Sequence, residues 1–348
     1  MPFTQTATEA IWSQAEGHEM RSPERLPAGE PPIRVPVDRR KAPDLPTPGG
    51  GAGPRPTRGP GEEVGAGADP VPPLTAFVFG GGGRWGAVQV GMVQALLEHG
   101  VYPDHILGTS IGALNGAIVA YDPTLGGARR LRSTWEEVEK LDLLSSSAFT
   151  RMRSLVRHRV SLHGTEELRA LVSRSLPADQ FEDLAVTFQC VAASIELATE
   201  HWFESGSLID AIVASSAIPG LFPPVEIGGF NYYDGGLVNS VPVDRAVALG
   251  ATTIYVLQVG RVEQSLRRPT RIYEPALIAF EIARRTRFAT TLASLPPGFD
   301  VHILPSGNTI AFDDRRQLRW RDMQDTERLI SGAHAASSAY LTQMVGAQ

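Results

Sequence analysis

The sequence has few of the features that mark secreted, nucleic-acid-binding or membrane-spanning proteins. It contains one cysteine, Cys190, which excludes an internal disulfide. The net charge of −6 leaves no basic excess, so no nucleic-acid partner is expected. No run approaches the roughly 20 apolar residues of a membrane span, and the N-terminus lacks the basic and apolar segments of a secretory signal. Together these absences predict a cytoplasmic protein.

Metal and cofactor signatures are also missing. The eight histidines show no ligand spacing, and neither H-E-x-x-H nor C-x-x-C occurs. Gly-Lys-Ser/Thr is absent at the start of the helix that follows the main glycine cluster, which excludes a phosphate-binding loop there. We therefore expect no metal and no cofactor.

Low complexity is confined to the first 73 residues. More than half of the 27 prolines lie there, beside the glycine-rich stretch "TPGGGAGPRPTRGPG". This composition buries too little apolar surface to offset the entropy of ordering, so it predicts a disordered tail over 1–73. Residues 74–348 alternate short apolar runs with amphipathic stretches, including a helical region at about 126–176. This alternation predicts one three-layer α/β/α domain with a central, mostly parallel sheet.

A glycine cluster follows the first predicted strand, in "FVFGGGGRWGAVQVG". Gly81, Gly83 and Gly86 fit G-x-G-x-x-G, which suggests a dinucleotide site with Asp104 as the ribose-binding acid. Asp104, however, precedes the apolar pair Ile106–Leu107, whereas that acid should end the second strand. The alternative is that successive glycine amides at the head of a helix bind an oxyanion.

A second motif indicates where such an oxyanion would form. Gly108-Thr109-Ser110-Ile111-Gly112 is G-x-S-x-G between a short strand and a helix, the context of a nucleophile elbow. Gly108 and Gly112 avoid a Cβ clash in the sharp turn. Ser110 precedes the helix, whose positive end favours an alkoxide. The pattern predicts Ser110 as a nucleophile.

Two residues are candidates for the base that activates this serine. His302 gives the chain order serine, acid, histidine of the α/β-hydrolases, but that fold places several strands before its elbow and only one or two fit here. Asp234 lies in "YYDGGLVNSVPV", where Gly235 and Gly236 allow a tight turn behind the carboxylate. A plain hairpin turn also explains D-G-G.

Four blocks together resemble the patatin-like phospholipases: "GGGGRWGAVQVG", "GTSIGALNGA", "SSAIPGLFPPVEIGG" and "YYDGGLVNSVPV". The resemblance runs from about Ala76 to Val259. It implies a three-layer α/β/α hydrolase that cleaves acyl esters of lipids through a Ser–Asp dyad. In that family's scheme Ser110 is the nucleophile, Asp234 is the base, and the oxyanion hole is formed by Gly81, Gly82 and Gly83.

The chain departs from the family pattern in the glycine loop. Trp85 stands where the family has arginine or lysine, and Arg84 comes one place early. A lipid-binding or regulatory protein with little catalysis is therefore the alternative function, with a dinucleotide-binding protein behind it. The basic helix predicted over Arg151–Arg159 either contacts a membrane surface peripherally or packs on the core. No pattern indicates an oligomeric state.

Overall fold

One sheet, covered by helices on both faces, organises the fold. The computed structural model describes residues 74–141, 164–219, 221–259, 266, 268–269, 274–307 and 324–345. The predicted tail over 1–73 and the predicted helix over Arg151–Arg159 lie outside these described residues. None of the described helices combines the length and the apolarity that crossing a membrane requires.

Strands and helices alternate along most of the described chain. Their order is β1 (Leu74–Phe79), α1 (Ala87–Glu98), β2 (His105–Thr109), α2 (Ile111–Tyr121), α3 (Leu125–Leu141), α4 (Glu166–Ser175), β3 (Thr187–Ser194), β4 (Thr199–Phe203), α5 (Leu208–Ser215), β5 (Val225–Ile227), β6 (Phe230–Asp234), α6 (Val243–Ala248), β7 (Ala251–Leu257), α7 (Glu274–Ser294), β8 (Asp300–Ile303) and α8 (Gln324–Val345). Short 3₁₀ turns cover Gly83–Gly86, Phe181–Asp183 and Gly235–Leu237.

The sheet has the strand order β5-β6-β3-β2-β1-β7-β8, and β4 pairs with β3 off this path. The pairs β3–β2, β2–β1, β1–β7 and β7–β8 are parallel, whereas β3–β4, β3–β6 and β5–β6 are antiparallel. The prediction of a central, mostly parallel sheet is confirmed. Parallel order places the carboxyl ends of β1, β2 and β7 at one edge of the sheet.

Successive side chains of the strands contribute to two separate hydrophobic clusters, one on each face of the sheet. On β1, Phe77 and Phe79 join a large buried cluster with residues of α1, α2, α3, α4, α5 and α8. Ala76 and Val78 point to the other face and join a smaller cluster with α6 and Phe288 of α7. Because successive strand residues face opposite sides, one strand contributes to both clusters. These two clusters confirm the three-layer α/β/α architecture.

Local pattern predicted most elements, but it missed two short ones. The antiparallel strand β4 and the six-residue helix α6 were not expected. Both are too short for a clear period, and pairing with β3 or packing on the sheet stabilises them. The predicted helical region at about 126–176 corresponds to α3 and α4, with 142–163 outside the described residues.

Cys190 is fully buried in β3, and burial raises the pKa of its thiol.

Candidate active site

The turn between β2 and α2 has the geometry of a nucleophile elbow. Ser110 has φ 56° and ψ −128°, a conformation that residues with a Cβ rarely adopt. A Cβ on Gly108 would lie 2.6 Å from the Cα of Ala113, and one on Gly112 would lie 2.3 Å from the carbonyl oxygen of Phe79. Only glycine therefore fits at either flank, which is the role that the sequence predicted for them.

A second serine, which the sequence analysis missed, holds the strained turn. The amide of Ser110 donates to Ser215 Oγ at 2.9 Å, and the Ser215 hydroxyl donates to the carbonyl of Val191 at 2.6 Å. Ser215 therefore ties the elbow to β3 through the end of α5. The only available signal was a serine pair in the apolar stretch "AIVASSAI".

Strand register brings Ser110 and Asp234 together. Thr109 pairs with Val191 across β2–β3, and Asp234 pairs with Ala192 across β3–β6. Ser110 follows Thr109, just as Ala192 follows Val191, so the serine and the aspartate lie at one level on either side of β3. Ser110 Oγ donates to Asp234 Oδ2 at 2.6 Å.

Burial sets the proton affinity of Asp234. The residue has no exposed surface, and burial raises the pKa of its carboxyl from 3.8 to about 6. Hydrogen bonds from Ser110 Oγ and from the Gly236 amide, the latter at 2.7 Å to Oδ1, oppose this rise, as does the positive charge of Arg284. The carboxylate is therefore a stronger base than an exposed aspartate and is still ionised at neutral pH.

Close approach restricts both positions after Asp234, at Gly235 by backbone and at Gly236 by the end of a side chain. A Cβ on Gly235 would lie 2.2 Å from the carbonyl oxygen of Val191, and one on Gly236 would lie 2.6 Å from Phe280 Cζ. The turn also receives support from Asn239, whose amide donates to the Gly235 carbonyl at 2.8 Å. D-G-G is thus a constrained turn that presents a carboxylate.

The glycine loop lies against the serine, but one of its predicted donors is occupied. A Cβ on Gly81 would lie 3.2 Å from the Cβ of Ser110. The Gly81 amide, however, donates to the carbonyl of Ser240 at 3.0 Å. The Gly81 amide is therefore already paired in this conformation, and its role as an oxyanion donor stays a prediction. Within the described part of the chain, the amides of Gly82 and Gly83 donate to no protein acceptor.

A buried polar chain holds the loop from the side of α1 and α2. Gln89 Nε2 donates to the carbonyls of Gly80 and Leu257 at 2.9 and 2.8 Å. Asn115 Nδ2 donates to Gln89 Oε1 at 2.7 Å, and Trp135 Nε1 donates to Asn115 Oδ1 at 3.1 Å. Trp135 of α3 therefore completes this chain of hydrogen bonds. Trp85, at the position expected for a cation, packs against the larger core cluster.

Neither Asp104, the candidate ribose-binding acid, nor His302, the alternative base, lies beside Ser110. Asp104 Oδ2 accepts the amide of Thr75 at 2.8 Å, at the end of the sheet where β1 and β2 begin and thus opposite the glycine loop. His302 contacts Tyr340 and Asp300 through its two ring nitrogens, at 3.0 and 2.9 Å, away from Ser110. Within the described residues, no three His, Cys, Asp or Glu side chains are grouped to hold a metal ion.

A strained serine in contact with a buried carboxylate, at the carboxyl edge of an α/β sheet, is an arrangement typical of serine hydrolases. Comparison with known families makes the class specific. A model described as "Patatin-like phospholipase" matches residues 77–247. This match identifies residues 77–247 as a patatin-like phospholipase domain.

Two individual relatives each match a little over half of the chain. "Lysophospholipase nte1" of Aspergillus terreus is 32% identical over 197 residues, which are 54% of this chain and 12% of that relative. "Patatin-like phospholipase domain-containing protein 7" of Mus musculus is 30% identical over 192 residues, 55% of this chain and 14% of that relative. The chain thus spans a small part of these relatives. VipD from Legionella pneumophila is similar at a TM-score of 0.40 and 13% identity, covering 78% of this chain and 67% of VipD.

Proposed function

We propose that this protein is a serine acyl hydrolase of the lipase or phospholipase A type, which cleaves acyl esters of lipids through a Ser110–Asp234 dyad. The observation that carries the proposal is the 2.6 Å hydrogen bond from Ser110 Oγ to the buried carboxylate. The names of the similar relatives, a lysophospholipase and a patatin-like phospholipase, support lipid esters as substrates.

The proposed reaction begins when Ser110 Oγ attacks the ester carbonyl carbon and Asp234 takes the hydroxyl proton. The amides of Gly82 and Gly83 and the N-terminal end of α2 stabilise the negative oxygen of the tetrahedral intermediate. Collapse breaks the bond between the carbonyl carbon and the alcohol oxygen, which receives the proton from Asp234. The acyl group is left on Ser110.

In the second half, water replaces the serine as nucleophile. Asp234 takes a proton from the water as its oxygen attacks the acyl carbon, and the same amides bind the new oxyanion. Ser110 leaves with the proton from Asp234, and the fatty acid is released. No other base is needed because one carboxylate accepts and returns a proton in each half.

The pKa of Asp234 gives a pH-dependence for this reaction. We expect kcat/KM for a short soluble ester to fall as pH drops through about 6, because protonated Asp234 cannot accept the serine proton. A pH–rate profile between pH 4 and 9 measures this limb. A limb near 4, the value of an exposed carboxyl, would contradict a buried base.

Labelling tests the proposed nucleophile. A fluorophosphonate probe should label the protein and leave an adduct on Ser110, since only an activated serine reacts rapidly. Ser110→Ala should lose the label, whereas Ser337→Ala should keep it, because the buried Ser337 hydroxyl donates to the Pro305 carbonyl outside the site. Lysophospholipids, diacyl phospholipids and simple esters then define the substrate. Lipid binding without labelling or turnover would favour the alternative of a binding module.

A further inference from the structure

A buried cation lies beside the glycine loop and comes from outside the family match. Arg284 is on α7, whereas the match ends at residue 247. Only 7% of its side chain is exposed. A charge this deeply buried is costly unless its donors are satisfied by well-placed partners.

Glu281, one turn earlier on α7, fixes the guanidinium. Arg284 Nε donates to Glu281 Oε2 at 2.8 Å and Nη2 donates to Oε1 at 2.7 Å, a fork that determines the direction of the remaining nitrogen. That nitrogen, Nη1, donates to the carbonyl of Gly81 at 3.3 Å and contacts Ser240 Oγ at 3.5 Å. The Gly81 amide binds the Ser240 carbonyl, so Gly81 is held at both of its polar groups.

The contact to the Gly81 carbonyl also acts on the next amide. The carbonyl of Gly81 and the N–H of Gly82 belong to one planar trans peptide group and point in opposite directions. Fixing the carbonyl therefore fixes the direction of the Gly82 N–H. A cation on the carbonyl oxygen also polarises the peptide and makes its N–H a stronger donor.

We propose that Arg284 is a positioning residue for the oxyanion loop, which it orients through the peptide group that joins Gly81 to Gly82. The proposal rests on the hydrolase function proposed above. Arg284 contacts neither the substrate nor Ser110 in this scheme. It acts on the transition state through the Gly82 amide, so its loss should lower kcat more than it changes KM.

The same cation acts on the base. The charge of Arg284 opposes the rise that burial causes in the pKa of Asp234. Among the described residues of α7, Arg285 shares Glu281 with Arg284, and Arg287 pairs with Asp244 of α6 and Glu200 of β4. Removal of the Arg284 charge should therefore raise the pKa of Asp234 further, toward neutral pH.

The test compares Arg284→Met with Arg284→Lys and Arg285→Met in the full chain. Arg284→Met should lower kcat by about 10²-fold with little change in KM, as expected for a misplaced catalytic group. Its acid limb in the pH–rate profile should move to higher pH. Arg284→Lys keeps the charge without the fork, so its limb should stay near the wild-type value while kcat falls. Arg285→Met is the matched control, since Arg285 also binds Glu281 and should leave both quantities unchanged.

The outcomes separate this proposal from the proposed function. A wild-type protein without hydrolysis or fluorophosphonate labelling would refute the function. Wild-type turnover with an Arg284→Met variant that keeps the wild-type kcat and acid limb would overturn the positioning role alone. If Arg284→Met does not fold, Glu281→Gln combined with Arg284→Met removes both buried charges, and the same loss of kcat and shift of the limb are expected. Unchanged kinetics in that double variant would equally overturn the role.

Discussion

Asp234→Asn is expected to abolish ester hydrolysis and to make the protein more stable. Activity is lost because an amide cannot accept the Ser110 proton. Stability rises because the wild-type protein keeps a carboxylate fully buried, with its pKa raised from 3.8 to about 6. At about 1.4 kcal/mol per pH unit, this difference corresponds to about 3 kcal/mol lost on folding at neutral pH.

The raised pKa of Asp234 predicts how the stability difference between the wild type and Asp234→Asn should vary with pH. A raised pKa means that the folded protein binds the proton more tightly than the unfolded chain, so wild-type stability falls as pH rises from about 3.8 to about 6. Asp234→Asn has no such proton to lose. Its gain in free energy of unfolding should be full at pH 8 and should shrink as pH is lowered below 6. Thermal or urea unfolding at pH 5 and pH 8 measures the difference.

Two controls accompany this experiment. Ser110→Ala should lower kcat by on the order of 10⁴ or more, as seen when a nucleophile is removed elsewhere, without the gain in stability. Asp300→Asn changes an exposed carboxylate that contacts His302 and should keep activity. An Asp234→Asn variant with activity near that of the wild type would contradict the role of this carboxylate as the base. An Asp234→Asn variant with the wild-type free energy of unfolding at pH 8 would contradict the cost of burying the charge.

Gly82→Ala is expected to lower kcat by about 10²-fold with a small change in KM, the size of effect found when one oxyanion donor is lost. A Cβ at this position would lie 2.0 Å from Val259 Cγ2, so the loop or the valine must move. Movement of the loop displaces the Gly82 amide from the oxyanion. Steady-state kinetics on a soluble ester measure kcat and KM separately.

A double-mutant cycle distinguishes displacement from a general defect. Val259→Ala removes Cγ2, so the Gly82→Ala/Val259→Ala double variant should recover part of the lost kcat. Gly229→Ala is the matched glycine control, at a hairpin turn where a Cβ has open space but φ is 84°. It should lower stability and leave kcat unchanged. Equal losses of kcat in Gly229→Ala and Gly82→Ala would show that the effect is not specific to the loop.

The sequence predicted the parts of the molecule that depend on neighbouring residues. Apolar runs and helical spacing predicted the strands and helices of the described domain, since each period arises within a few residues. The elbow at Ser110 and the turn after Asp234 were predicted because their glycines form short local motifs, G-x-S-x-G and D-G-G. The short elements β4 and α6 were missed because pairing and packing, rather than local pattern, stabilise them.

Only the tertiary structure decided how these parts meet. The register of β2, β3 and β6 brings Ser110 to Asp234 across 124 residues, and burial by distant helices raises the pKa of Asp234. The Gly81 amide is occupied by Ser240, which no local pattern indicates. Arg284 is separated from the Gly81 carbonyl by 203 residues, so its role could not be predicted from spacing. Proton affinity and donor direction depend on desolvation and on long-range contacts, and those exist only after the chain has folded.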